Sequence, residues 1–117
     1  MGMKIQSRET MGVTILDVSG RITMGEGSVV LRDVVRNEIA LGKQWIIINL
    51  ADVDYVDSSG LGELISAFTT ARNRDVTVKL LNLTKRIHEL MQITKLYTVF
   101  DVYDDEAAAI KSFSPGK

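Results

Sequence analysis

Three features of this 117-residue sequence predict an α/β fold: a single domain with a mixed, mostly parallel β-sheet covered by about four helices. The run Trp45-Ile46-Ile47-Ile48-Asn49-Leu50 is apolar without alternation, as expected of a strand buried on both faces of a helix-covered sheet. Apolar residues on either side of it recur at helical spacing, three and four apart. The order strand, helix, strand is then repeated along the chain, and such a crossover is right-handed.

Lys4 to Arg8 and Gly12 to Ser19 read as two short strands about a turn at Thr10–Gly12. Val13 and Ile15 face one way, Leu16 and Val18 alternate less cleanly, and Asp17 interrupts the pattern. Gly20-Arg21-Ile22-Thr23 reads as a further extended piece, and the loop Met24-Gly25-Glu26-Gly27 leads into a helix from about Ser28 to Leu41. Val30 and Val34 form one apolar row of that helix, Leu31, Val35 and Ile39 the next. Gly42 stands where a left-handed cap ends it. After the apolar strand, Ala51 to Asp57 reads as acidic and irregular. A second helix is predicted from about Ser59 to Arg72, with Leu61, Ile65 and Phe68 at i, i+4 and i+7 and Leu64 beside them. Val76 to Leu81 forms the next strand, and Thr84 caps a helix that carries Ile87, Leu90 and Met91. A last strand at about Val99 to Val102 precedes a helix capped by Asp104, whose buried face is Ala107, Ile110 and Phe113. Residues 114–117 read as a loose tail, so the domain spans 1–117 with a core of about 3–113.

Composition removes several function classes. No cysteine is present, which excludes disulfides and thiolate chemistry and fits a reducing cytoplasm. The formal net charge is −1, and the basic residues are scattered. Arg72 with Arg74 and Lys85 with Arg86 come nearest to clusters and read as solvated helix ends, so direct nucleic-acid binding is not expected. The apolar runs fall short of a membrane span, Met1 to Ser7 lacks the apolar stretch of a signal peptide, and Gln6 stands where myristoylation needs Ser or Thr. The expected setting is cytoplasmic, away from membranes.

One segment carries functional information: Asp57-Ser58-Ser59-Gly60-Leu61-Gly62, just past a central strand and at the start of a helix. Ligand sites of open α/β sheets gather there, because a helix N-terminus presents unpaired N–H groups and a favourable dipole to an anion such as phosphate. Asp and Ser are also ordinary N-cap residues, and a cap is the plainer reading. Two glycines in the first helical turn, each costing roughly 1 kcal/mol relative to alanine, exceed what a cap needs. They imply close approach by a partner or a modifying enzyme. Two adjacent hydroxyls likewise exceed the needs of one cap.

In this setting Tyr55-Val56-Asp57-Ser58-Ser59-Gly60-Leu61-Gly62, following the strand that ends Asn49-Leu50, resembles the signature of the STAS domain, found in sulfate transporters and anti-sigma factor antagonists. The resemblance extends over nearly the whole chain and points to the soluble bacterial antagonists. It implies a phosphoacceptor at Ser58, with Ser59 as the alternative. It also implies a partner-binding surface made of Asp57, Ser59, Gly60, Leu61, Gly62 and Thr23. The implied partners are an anti-sigma factor that is also a serine-protein kinase, and a phosphoserine phosphatase that resets the switch. The ATP then belongs to the kinase, and no cofactor is expected of this chain, which has neither a Walker-type loop nor a Rossmann fingerprint. A monomer or weak dimer is expected. Thr23 departs from the family, whose antagonists often carry an acidic residue there; Glu26 is a candidate substitute, though a solvated loop glutamate is its plainer reading.

A scaffold or adaptor subunit of a multi-component stress-signalling complex is the alternative within the same family. A serine hydrolase is disfavoured, because the nucleophile elbow needs glycine two residues before and after the serine, whereas Ser58 has Val56 and Gly60 and Ser59 has Asp57 and Leu61. The single histidine, His88, sits on a helix with Ile87, Leu90 and Met91 and reads as an exposed or partly packed imidazole. Asp52, Asp54 and Asp57 lack the spacing of a calcium loop, so no metal is expected.

Overall fold

The computed structural model describes residues 3–23, 25–95 and 100–113. Strands β1 (Lys4–Thr10) and β2 (Val13–Ile22) form an antiparallel hairpin. Met11 and Gly12 connect them with φ of 53° and 81°, the left-handed pair of a two-residue turn whose twist matches that of the strands. Helix α1 (Glu26–Ala40), β3 (Trp45–Val56), α2 (Ser58–Asn73), β4 (Thr77–Leu81), α3 (Lys85–Thr94), β5 (Val102–Tyr103) and α4 (Glu106–Lys111) follow. The sheet order is β1-β2-β3-β4-β5, and every pair from β2 onwards is parallel. The α/β fold class, with its mixed, mostly parallel sheet and four helices, is therefore as predicted.

The apolar run of β3 divides between two layers. Ile46 and Ile48 join Leu16, Val18, Val78 and Leu80 beneath Leu31, Val35, Leu64, Ile87 and Met91 of α1, α2 and α3. Ile47 turns to the opposite face with Val13, Ile15 and Leu81, against Ala109 and Phe113. Trp45 stacks on Phe113 there, with ring centroids 5.7 Å apart. Burial from both sides is why the run does not alternate. β2 has the same two-sided burial, and Asp17 lies on the second face where it turns polar. Arg8 grips Asp17 through Nε at 2.6 Å and Nη2 at 3.2 Å, and Asn49 donates to Asp17 Oδ1 at 2.8 Å.

Some boundaries differ from the sequence reading, each for a physical reason. Ala51 to Val56 is strand, not irregular chain, because β2 continues through Ile22 and pairs with it across two register shifts. Those shifts put burial at Leu50, Val53 and Val56, every third residue, a spacing that hides a strand. Helix α1 begins at Glu26, capped by Gly25 backbone rather than by a side chain, so Glu26 opens a helix and is not in a loop. Gly42, with φ of 88°, takes the left-handed position expected after α1. Thr84 caps α3 as predicted, accepting from the Ile87 N–H at 3.3 Å. Helix α4 is capped by Asp105, not Asp104, and this one-residue offset buries Ala109 instead of Ala107. Strand β5 is only Val102–Tyr103; Val99 and the tail at 114–117 lie outside the described residues.

Arg8 also holds Glu106 at the start of α4, at 2.6 and 3.1 Å, and so ties the first hairpin to the last helix. Its hydrogen bonds keep the Asp17 and Glu106 carboxyls below their ordinary range. A folded-state pKa below the unfolded value means stabilisation that is complete above the unfolded pKa, about 4, and lost as pH falls through the folded value. Replacing Arg8 with Ala is expected to lower stability at pH 7 by up to ~1 kcal/mol, the scale of exposed ion pairs. The gap from the unaltered protein should close as urea denaturation is repeated at pH values falling below about 4.

Candidate functional site

The C-terminal ends of β2 and β3 and the N-terminal ends of α1 and α2 meet at one edge of the sheet. Arg21 and Ile22 of β2 are in register with Tyr55 and Val56 of β3. The Asp57 N–H donates to the Ile22 carbonyl oxygen at 3.3 Å. Gly60 packs on that same carbonyl so closely that a Cβ there would fall 1.9 Å from the oxygen. Gly27, in the first turn of α1, approaches the Arg21 carbonyl in the same manner, where a Cβ would lie 2.7 Å away.

Asp57 is the N-cap of α2. Its Oδ1 accepts from the Gly60 N–H at 2.7 Å, and its carbonyl accepts from the Leu61 N–H at 2.9 Å. The capping role therefore falls to Asp57, and both serines lie inside the helix. Ser58 is the first helical residue and is exposed; among the described residues its hydroxyl has no hydrogen-bond partner. Ser59 is half-buried, and Leu61 is buried beneath them as the anchor of the turn. The amides of Ser58 and Ser59 belong to the first turn, for which a helix has no internal acceptors.

The two glycines have different roles, which corrects the reading that both clear space for a partner. Gly60 is buried and is required by the Ile22 backbone. Gly62 is exposed, with nothing within 4 Å of where a Cβ would stand, and it alone leaves the surface bare. Thr23 follows Ile22 directly and is half-buried, so the structure brings all the candidate residues to one edge. The Glu26 side chain lies outside the described residues.

Sequence reasoning missed three neighbours. The Arg21 guanidinium carbon lies 5.0 Å from the centroid of the Tyr55 ring, and that of Arg86, in the first turn of α3, lies 5.9 Å from the same centroid. One signal was present in the sequence. A basic pair directly after the Thr84 cap sits at the positive end of a helix dipole, where cations are unfavourable without another purpose. His88 is elsewhere: it lines a groove of ≈ 670 Å³ with Lys85, Asp101 and Tyr103, and neither serine belongs to its walls. Among the described residues, no group of three or more histidines and carboxylates is placed to hold a metal ion, and no helix is long and apolar enough to cross a membrane.

Comparison with known proteins agrees with this fold. An anti-sigma F factor antagonist of Paenibacillus polymyxa is 21% identical over 110 residues, 94% of each chain. The crystal structure of an anti-sigma factor antagonist from Mycobacterium paratuberculosis superposes with a TM-score of 0.83 at 19% identity, over 94% of this chain and 92% of that one. The Bacillus cell fate determinant SpoIIAA in its phosphorylated form superposes with a TM-score of 0.72 at 19% identity, over 95% of this chain and 100% of that one. Residues 4–109 match the STAS domain itself, and the chain belongs to that family.

Proposed function

We propose that this protein is an anti-sigma factor antagonist whose grip on an anti-sigma factor with serine-kinase activity is switched by phosphorylation of Ser58. The observation that carries the reading is the division of labour at the start of α2. Asp57 does the capping, so the exposed Ser58 hydroxyl has no structural task and is open to a kinase. Ser59, half-buried, is the poorer acceptor. The antagonists and the phosphorylated SpoIIAA among its relatives support the same direction.

In the reaction the kinase transfers the γ-phosphoryl group of ATP to Ser58 Oγ. The hydroxyl proton passes to a base of the kinase, and ADP leaves. The product carries about 1.5 to 2 extra negative charges and a tetrahedral group. Helix α2 tolerates them at its N-terminus, where the dipole and unpaired amides favour an anion. A partner surface packed on a neutral serine does not, since the added charge would be desolvated beside the Asp57 carboxylate. A loss of ~3 kcal/mol weakens binding more than a hundredfold. A phosphatase that hydrolyses the phosphoserine restores the binding form.

Two sets of variants test the reading. Ser58→Asp is expected to bind a cognate kinase at least about a hundredfold more weakly than Ser58→Ala, as read by calorimetry. Equal affinities would exclude Ser58 as the switch. Both should unfold within about 0.5 kcal/mol of the unaltered protein, because this hydroxyl supports nothing. The glycines should separate. Gly62→Ala is expected to keep or raise stability, by up to ~1 kcal/mol of helix propensity, while weakening the partner complex. Gly60→Ala should lose stability by more than ~2 kcal/mol, because its Cβ collides with backbone that cannot yield. Urea denaturation distinguishes the two.

A further inference from the structure

Arg21 and Arg86 are drawn from strands and helices far apart in sequence, yet both rest against Tyr55, at 5.0 and 5.9 Å from its ring centroid. Tyr55 is 37% exposed, and both arginines are exposed. Among the described residues neither guanidinium takes part in a salt bridge. The arrangement opposes itself electrostatically: two cations share one ring, and Arg86 adds its charge to the positive end of α3. An aromatic face offsets part of this at a solvated site. Among the described residues no carboxylate is ion-paired with this cluster.

The Ser58 turn is adjacent. Arg21 immediately precedes Ile22, whose carbonyl receives the Asp57 N–H and abuts Gly60, the residues on either side of the serine pair. Tyr55 is three residues before Ser58, a span of at most about 11 Å even for extended chain. A phosphate on Ser58 stands next to the Asp57 carboxylate, a like charge at the cap, and needs cations to offset it. Arginine suits that need, because its planar fork of donors matches phosphate oxygens in pairs.

We propose that Arg21 and Arg86, steadied on the Tyr55 ring, form a clamp that receives the phosphate when Ser58 carries it. The inference rests on the reading of Ser58 as phosphoacceptor. It adds a second effect of modification: besides placing charge on the partner face, the phosphate draws in two arginines that are otherwise presented to that partner. Lys85, the neighbouring cation on α3, has no cation–π contact with Tyr55 among the described residues and takes no part in the clamp.

The test uses the full chain with phosphoserine inserted at position 58 during translation, so that no kinase is needed. Titration by phosphorus NMR should place the second ionisation of the phosphate at least about half a unit below its ordinary value near 6. In the doubly altered R21Q/R86Q protein the ionisation should return towards the ordinary value, while K85Q should leave it lowered. The Nε–H resonances of Arg21 and Arg86 should also move on phosphorylation, a reading that depends on no variant. An ordinary phosphate ionisation in the unaltered sequence, an equal response to K85Q, or unmoved arginine resonances would each overturn the clamp. Such a failure leaves the contrast between Ser58→Asp and Ser58→Ala intact, whereas failure of the Ser58 reading abolishes that contrast whatever the phosphate titration gives.

Discussion

The approach of Gly60 to the Ile22 carbonyl leaves no room for a side chain, since a Cβ would sit 1.9 Å from the oxygen. This contact locks the first turn of α2 onto the end of β2, and the Asp57 N–H bonded to the same carbonyl locks its cap. With the cap and the third helical residue held down, and Leu61 buried below them, two positions of the turn remain: Ser58 is exposed and Ser59 is half-buried. The exposed hydroxyl is thus a consequence of backbone packing, with the neighbouring residues fixed too firmly for the serine to retreat.

On the proposed reading of Ser58, stability and signalling are assigned to different atoms. The Asp57 carboxylate satisfies the helix end, and a lost cap costs about 1 kcal/mol. Ser58 contributes no hydrogen bond to a described residue, so its chemistry can change without changing the fold. On that reading a charge added there acts on whatever docks, not on the core. The same economy appears at the sheet edge, where Tyr55 supports two arginines without neutralising them. The family relationship shows the fold, and the local geometry leaves one hydroxyl more exposed than its neighbour, which supports the proposal that Ser58 is the switch.

Much of this was legible in the sequence because it is local. The uninterrupted run Trp45 to Leu50, the helical rows of α1 and α2, the left-handed Gly42 and the Thr84 cap each depend on residues a few positions apart. The Asp-Ser-Ser-Gly-Leu-Gly string, on which the proposed site rests, is local in the same way. The extension of β3 to Val56 was hidden, because bulges change the burial period from two to three and the pairing partner lies 33 or 34 residues away. The start of α4 was misplaced by one residue because Asp104 and Asp105 cap equally well in isolation; packing of Ala109 and Phe113 on the sheet decides between them. The separate roles of Gly60 and Gly62, and the gathering of Arg21, Tyr55 and Arg86, required knowing which elements meet in space. Composition and spacing carry no such information.

The claim at the centre is that phosphate on Ser58 acts at a surface and leaves the fold alone. Urea denaturation of the protein with and without phosphoserine at position 58 measures this directly. The account predicts the same dependence on urea and a stability no more than about 0.5 kcal/mol below that of the unmodified chain. A loss of several kcal/mol, or a clearly smaller dependence on urea, would show that the modification works by loosening the domain and would contradict it.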